Sequence, residues 1–330
     1  MMMKRTLVLW FAGILAVQAA EFSVVEEEDG IVINIDGKLF TKYVTGDEIS
    51  NKPYFYPVIG PGGAEMTRAF PMKDVEGERQ DHPHHRSLYF GHQFINNFDT
   101  WHEQLTMEER SKGDEKKLKS MMEKVGVNNH VKTVSAAADG DSANLKVQSD
   151  YAGSGGEPLL ADEREFVFHV AEDGSRIIDA TIKFIGTEEE VTFSDAKDAG
   201  FSVRVAHSIS VDAKQGGKIV NSNGDTDKAA WGKRAEWCDY YGPIGDKTLG
   251  VAILNHPDSF RHPTPWHVRS YGLFTANPFG IKSVAGEKDK EGKVVLKKGE
   301  SFTIKHRVIF HQGDTKQAKI AEAYAKYAEE

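Results

Sequence analysis

A single cysteine, Cys238, stands in the 330 residues, so no intramolecular disulfide can form and no structural zinc site can be built on thiolates. Cys238 reads instead as a small buried apolar residue. Basic residues are also in the minority. Lys and Arg number 41 against 50 Asp and Glu, for a formal charge of −9. A nucleic-acid partner needs a basic face to replace phosphate counterions, and none is expected here. Past the N-terminus no apolar run is long enough to cross a bilayer, so no membrane span is expected in the mature chain. There is no alternation of strands with helices, no internal repeat and no Pro-rich or Ser-rich linker. No HExxH motif occurs, and no carboxylate pair stands out for glycoside hydrolysis.

What is present begins with an export pattern. Lys4 and Arg5 precede the apolar stretch Leu7 to Val17, and Val17-Gln18-Ala19 offers small residues for cleavage. Residues 1–19 are expected to be a signal peptide cut near Ala19. The product would be periplasmic or extracellular, with no cysteine placed for lipid attachment.

The mature chain, 20–330, has strand grammar almost throughout. Phe22–Glu27, Ile31–Ile35, Tyr54–Ile59, Val131–Ala137, Ser142–Tyr151, Leu159–Ala171 and Ser175–Gly186 alternate or run apolar between Gly and Asp turns. Met66–Phe70, Ser87–Phe94, Val191–Phe193, Phe201–Ala206, Lys218–Asn221, Gly250–Asn255, Gly272–Ala276 and Phe302–Phe310 continue the series. The pattern predicts an all-β fold: one domain made of a large antiparallel β-sandwich with few helices. A partly helical insertion is expected over about 104–129 and a C-terminal helix over 315–329.

Chemistry concentrates in three clusters. The first, DHPHHRSLYFGHQFINNFDTW, holds Asp81, His82, His84, His85, Arg86, His92, Asn96 and Trp101. Imidazole exchanges protons near neutral pH and also ligates metals, and Arg86 offers a planar fork for hydroxyls or carboxylates. Asp81 can orient an imidazole. Acid–base or substrate-binding histidines, a divalent-metal site on His82 and His84, and structural polar packing are the three readings open here. The second cluster, AWGKRAEWCDYY, places Trp231, Trp237, Tyr240 and Tyr241 beside Arg234. The third, NHPDSFRHPTPWHVRSYGLFTANPFG, holds His262, Trp266, His267 and Asn277. Lys197, Arg204 and Arg68 are further cations beside turns, and an inward Arg204 would require a partner.

Together with GPGG, Thr67-Arg68, AKDAGFSVRVA and the final KKGESFTIKHRVIFHQGD, these stretches resemble the bacterial PmoA-like domain of unknown function from about Tyr54 to Asp314. Ser87 and Tyr89 stand where members usually have Gly and Trp, and the region from Gln104 to Asn129 is longer than usual. The resemblance implies an exported, carbohydrate-associated protein whose strand pattern is similar to the galactose-mutarotase-like supersandwich. The methane-oxidising function in that label belongs to a membrane-integral copper protein, which this chain does not match.

The expected function is proton transfer on a sugar or glycoside, as in an epimerase, a lyase or keto-glycoside processing. His84 or His85 would act as acid or base. Arg68, Arg86 and Arg204 would hold hydroxyls or an oxyanion, and His262 and His267 would complete the wall. Asp81, His82, His92, Asn96, Trp101, Lys197, Trp231, Arg234, Trp266 and Asn277 would line the substrate. The alternatives are a non-catalytic carbohydrate-binding protein and a His-ligated metalloprotein. A single site requires His84 or His85 to lie near His262 or His267.

Overall fold

The strand alternation is realised as eighteen strands and three α-helices in the computed structural model, which describes residues 20–47 and 49–330. The expected signal peptide, 1–19, lies outside the described residues. In chain order the first strands are β1 (Phe22–Glu27), β2 (Gly30–Ile35), β3 (Lys38–Val44), β4 (Tyr54–Val58) and β5 (Leu88–His92). Helices α1 (Gln104–Ser111) and α2 (Glu115–Met122) follow. Then come β6 (Val127–Asp139), β7 (Ser142–Ala152), β8 (Pro158–Val170), β9 (Arg176–Ile185), β10 (Glu190–Phe193), β11 (Ala199–Arg204) and β12 (Lys218–Asn221). The chain ends with β13 (Trp237–Ile244), β14 (Lys247–Asn255), β15 (Trp266–Val268), β16 (Leu273–Ala276), β17 (Val294–Lys297), β18 (Ser301–Gln312) and α3 (Ile320–Tyr327).

Two eight-stranded antiparallel sheets form the expected sandwich. The first runs β1-β2-β3-β4-β5-β11-β16-β15 and the second β12-β13-β14-β18-β9-β8-β7-β6. A short β10-β17 pair stands apart. One apolar core fills the space between the sheets. Phe55, Phe90, Phe201, Phe274 and Trp266 come from the first, and Leu145, Phe166, Phe184, Ile253 and Phe310 from the second. Phe90 meets Phe184 across the layers with ring centroids 4.8 Å apart. Each such side chain contributes about 1.5–3 kcal/mol by leaving water.

Several expected boundaries shift. Met66–Phe70 is not a strand; only Thr67 makes a lone bridge, to Val205. The insertion is helical to Met122, and its last residues already belong to β6. The C-terminal helix begins at Ile320, because Lys319 takes a left-handed conformation (φ 51°). The second cluster ends in the strand β13, which takes up Trp237–Tyr241. Its alternation turns Cys238 and Tyr240 into the core and Trp237 out beneath α3, against Ile320 and Tyr324. Tyr240 presents no free face to a ligand, whereas Trp237, with Tyr241, lines a cavity of about 580 Å³ beside α3.

Candidate active site

The side chains that face away from the core on the first sheet form a continuous row. Tyr54 pairs with Tyr89, Tyr89 with Ser202, Ser202 with Thr275, and Thr275 with His267, across β4, β5, β11, β16 and β15. All five are buried. The Ser202 and Thr275 hydroxyls bond each other at 2.9 Å. Outward positions of an antiparallel sheet normally face water. Here loops cover them. Gly91 makes room for one: a Cβ there would lie 3.1 Å from the Trp101 ring, which packs on Tyr89 at 5.3 Å.

The loop 81–87 lies over this face. His82 and Ser87 have φ of 47° and 32°, values that cost energy outside glycine and cluster at functional sites. Arg68 holds the loop in place. Its guanidinium, almost fully buried, donates to the carbonyls of Phe70 (3.0 Å), Arg79 (3.3 Å) and His82 (2.9 Å) and to the Asp81 carboxylate (2.8 Å). The same Asp81 oxygen accepts from Arg204 Nη2 at 2.7 Å. Burial works to raise the Asp81 carboxyl, but its bond to His82 and the charges of Arg204 and Arg68 outweigh it and hold the group below the usual range.

Arg204 also sets the state of His85. Its Nη1 lies 3.0 Å from His85 Nδ1. A guanidinium can only donate, so Nδ1 accepts and the neutral ring carries its proton on Nε2. Burial, with His84 and Arg204 adding to it, pushes His85 well below its ordinary pKa. His84 packs edge-on to His85 at 4.4 Å, and burial, helped by His102 and Lys52, lowers it too. Its Nδ1 lies 2.8 Å from Thr106 Oγ1. His82 and Tyr271 stack at 5.0 Å on the outer side, with the Arg204 guanidinium 4.9 Å from the Tyr271 ring centre.

Two buried networks support this floor. Glu103 accepts from Arg86 Nε (2.9 Å) and Lys52 Nζ (2.5 Å), all three side chains being excluded from solvent. Asp99 accepts from the Trp101 and His102 amides, each at 2.9 Å, and lies 2.8 Å from His102 Nδ1. Arg110 donates to the other His102 nitrogen at 2.9 Å, so His102 gives its Nδ1 proton to Asp99. Tyr89 Oη, kept protonated because burial raises it far above its usual pKa, and Trp101 Nε1 have no hydrogen-bond partner among the described residues.

The structure therefore gathers His82, His84, His85, Asp81, Arg204 and Trp101. It redirects the other expected site residues. Arg68 and Arg86 spend their donors on the loop and on Glu103 rather than on a ligand. His92 follows Leu88 and Phe90 into the core, packs on Phe279 at 4.6 Å, and is pushed by burial down to about 3. Trp266 is core as well, donating to the Ala235 carbonyl at 2.9 Å. Asn96 accepts from the Thr192 amide (2.8 Å), and Asn277 donates to the Ala196 and Lys197 carbonyls (2.9 and 2.8 Å). Both are turn residues.

His262 belongs to a different locality. It bonds Asn255 at 3.1 Å and lines a cavity of about 380 Å³ with Arg234 and Arg261. Arg234 is engaged by Glu287 at 2.6 Å. His267 ends the outer row and has Asp198 3.9 Å away, with its Nδ1 otherwise unpartnered. Burial, with Lys197 and Arg269 adding, pushes it down to about 3. Trp231 lines a separate cavity beside Arg269. Metal binding at His82 and His84 finds no third ligand: no group of three or more His, Cys, Asp or Glu among the described residues is arranged to hold an ion.

Lys52, Glu103, Thr106 and Tyr271 escaped the sequence reading, and Tyr89 entered it only as a departure from the family pattern. Tyr89 alone carried a usable sign, since it sits out of phase with Leu88 and Phe90 on one strand.

Among solved structures, the chain is similar to galactose 1-epimerase from Lactobacillus acidophilus NCFM (7% identity, 90% of this chain and 100% of that one, TM-score 0.38). It is similar to the Slr1438 protein from Synechocystis sp. PCC 6803 (9%, 92% and 100%, TM-score 0.37). It is also similar to the GalM/aldose epimerase homologue from C. elegans (11%, 90% and 100%, TM-score 0.33). No curated protein matches the sequence. Residues 30–325 match the family of unknown function DUF6807, and the chain belongs to that family.

Proposed function

We propose that this protein is an exported carbohydrate-active enzyme that moves a proton on a sugar or glycoside, as an epimerase, a lyase or a keto-glycoside-processing enzyme does. One observation carries the reading: two buried histidines, His84 and His85, whose burial favours the neutral ring, stand beside donors without a partner among the described residues. Removing a C–H proton needs a base and a place for the resulting oxyanion. In the tautomer that donates its Nδ1 proton to the Thr106 hydroxyl, His84 keeps the Nε2 lone pair free and acts as the base. His85 cannot be that base, because Arg204 occupies its lone pair. It acts as a neutral donor through Nε2–H, and Tyr89 Oη and Trp101 Nε1 are the further donors for substrate oxygens. An unpaired buried donor costs about 1–3 kcal/mol, a cost that a bound sugar hydroxyl or oxyanion would remove.

The test screens keto-glycosides, uronides and free sugars by NMR in deuterated water and by mass spectrometry. Exchange of a sugar C–H for deuterium is the expected signature. His84→Ala and His85→Ala should each lose about 10²–10⁴-fold in turnover with ligand affinity retained. Unchanged turnover in both variants would overturn the assignment. Binding without any turnover in the wild type would make the protein a carbohydrate-binding module instead.

A further inference from the structure

Beyond the edge strand β15 lies a cavity of about 240 Å³ lined by Lys228, Trp231, Val268, Arg269 and Ser270. It is smaller than the ~300–1,000 Å³ that encloses a drug-sized ligand, and suits a single monosaccharide unit. Its lining is a flat indole, a hydroxyl and two cations. Neither cation forms a salt bridge among the described residues, although the chain carries a formal charge of −9. Trp231 Nε1 is buried and has no hydrogen-bond partner. Two unneutralised cations beside a flat indole form a receptor for an anion that also carries a C–H face.

The cavity neighbours the histidine site through Arg269. The Arg269 guanidinium lies 5.6 Å from the Tyr271 ring centre, and Tyr271 stacks on His82. Arg269 also contributes to the field that keeps His267 neutral. One residue therefore belongs to the cavity and to the edge of the proton-transfer site.

We infer that this cavity is a subsite for a hexuronate unit, so that the substrate is an acidic glycan whose neighbouring unit reaches His84 and His85. The sugar's C–H face would lie on the Trp231 indole and its carboxylate between Arg269 and Lys228. Neutral sugars would forgo the two charge-assisted bonds. The inference rests on the proposed carbohydrate function for the unit that is transformed, and its test reads affinity rather than turnover.

The experiment is calorimetric titration of the full mature chain with dimers of galacturonate, glucuronate and mannuronate, each against its neutral hexose counterpart, at low and high salt. At least one acidic dimer should bind ten-fold or more tighter than its neutral partner, with the advantage shrinking in salt. The double variant Lys228→Gln/Arg269→Gln should erase that advantage while leaving the neutral affinity in place. Trp231→Ala should weaken both. His85→Ala should keep the acidic preference, which separates failure of the catalytic assignment from failure of this one. Equal affinity for acidic and neutral dimers, no binding of any acidic dimer, or an advantage that survives the double variant would overturn the subsite.

Discussion

On the first sheet the outward row Tyr54, Tyr89, Ser202, Thr275 and His267 is buried under loops, whereas on the second sheet the outward positions Lys146, Glu163 and Lys183 stand in water. Both faces arise from the same two-residue alternation. On β7 and β8 the outward pair Lys146 and Glu165 sits opposite in register with its charges 3.0 Å apart and both side chains nearly half exposed. On the first sheet the comparable positions carry hydroxyls and imidazole, and burial changes their chemistry. Over β7 to β9 the second face is made soluble by its charges, while α3 covers Trp237, Ala252, Leu254 and Ile309 on β13, β14 and β18. The first is covered and keeps donors unpaired, which stabilises nothing in the free protein. A polar residue facing outward says little; a polar residue facing outward and yet buried identifies where a ligand is to be sought.

The largest expected difference between the faces is in stability. Glu103→Gln beneath the covered face removes the countercharge from Lys52 and Arg86 in a fully buried site, and should cost about 3–5 kcal/mol in urea unfolding. Glu163→Gln on the solvated face should stay within about 0.5 kcal/mol. A loss below about 1 kcal/mol for Glu103→Gln would show that the covered network is no more costly to break than the open one.

Acid should act next, on the core histidines His92 and His306 and on His267 of the covered face. His92, His267 and His306 are each pushed down to about 3 by burial, against an ordinary value of 6.5. Between those values the unfolded chain binds these protons and the folded chain does not. Stability therefore rises with pH across that window and falls as pH drops from 6.5 towards 3, by up to about 1.4 kcal/mol per pH unit for each histidine. Replacing His267 by Gln should flatten the slope of ΔG against pH by one such share. A slope unaltered by that change would mean that His267 is protonated in the folded protein.

Catalysis should follow the same direction. His84 and His85 are both depressed, so the base form persists below pH 6.5. The acid limb of kcat/KM should lie below that ordinary histidine value. A limb at or above 6.5 would remove His84 from the role of base.

The sandwich was legible because burial between two sheets forces a period of two, which the chain keeps from Phe22 to Phe310. The density of His82, His84 and His85 was legible because imidazoles beside Arg and Asp rarely gather without a task. The partners were not. Lys52 and Glu103 are 51 residues apart, and Arg204 and His85 are 119 apart. Loop closure joins them without leaving a periodic trace. His92 and Trp266 drew attention by residue type, although parity with Phe90 and with Val268 already turned them inward. His262 and His267, five positions apart in one motif, separate because β15 carries His267 into the sheet while His262 stays in the preceding loop with Asn255.

The smallest effect sharpens the contrast most cleanly. A double-mutant cycle on Lys146 and Glu165, each changed to Ala, should yield a coupling of about 0.2–1 kcal/mol, since water screens the pair and both side chains lose rotamers to hold it. Added salt should shrink the coupling further, because the Debye length falls from about 10 Å at 0.1 M to about 3 Å at 1 M. The Lys52–Glu103 coupling, measured the same way, should barely respond to salt, because no solvent reaches either side chain. If both couplings fall together as salt rises, the covered face is hydrated in solution. The unpaired Tyr89 and Trp101 donors then have water for partners, and the argument that they await a substrate loses its footing.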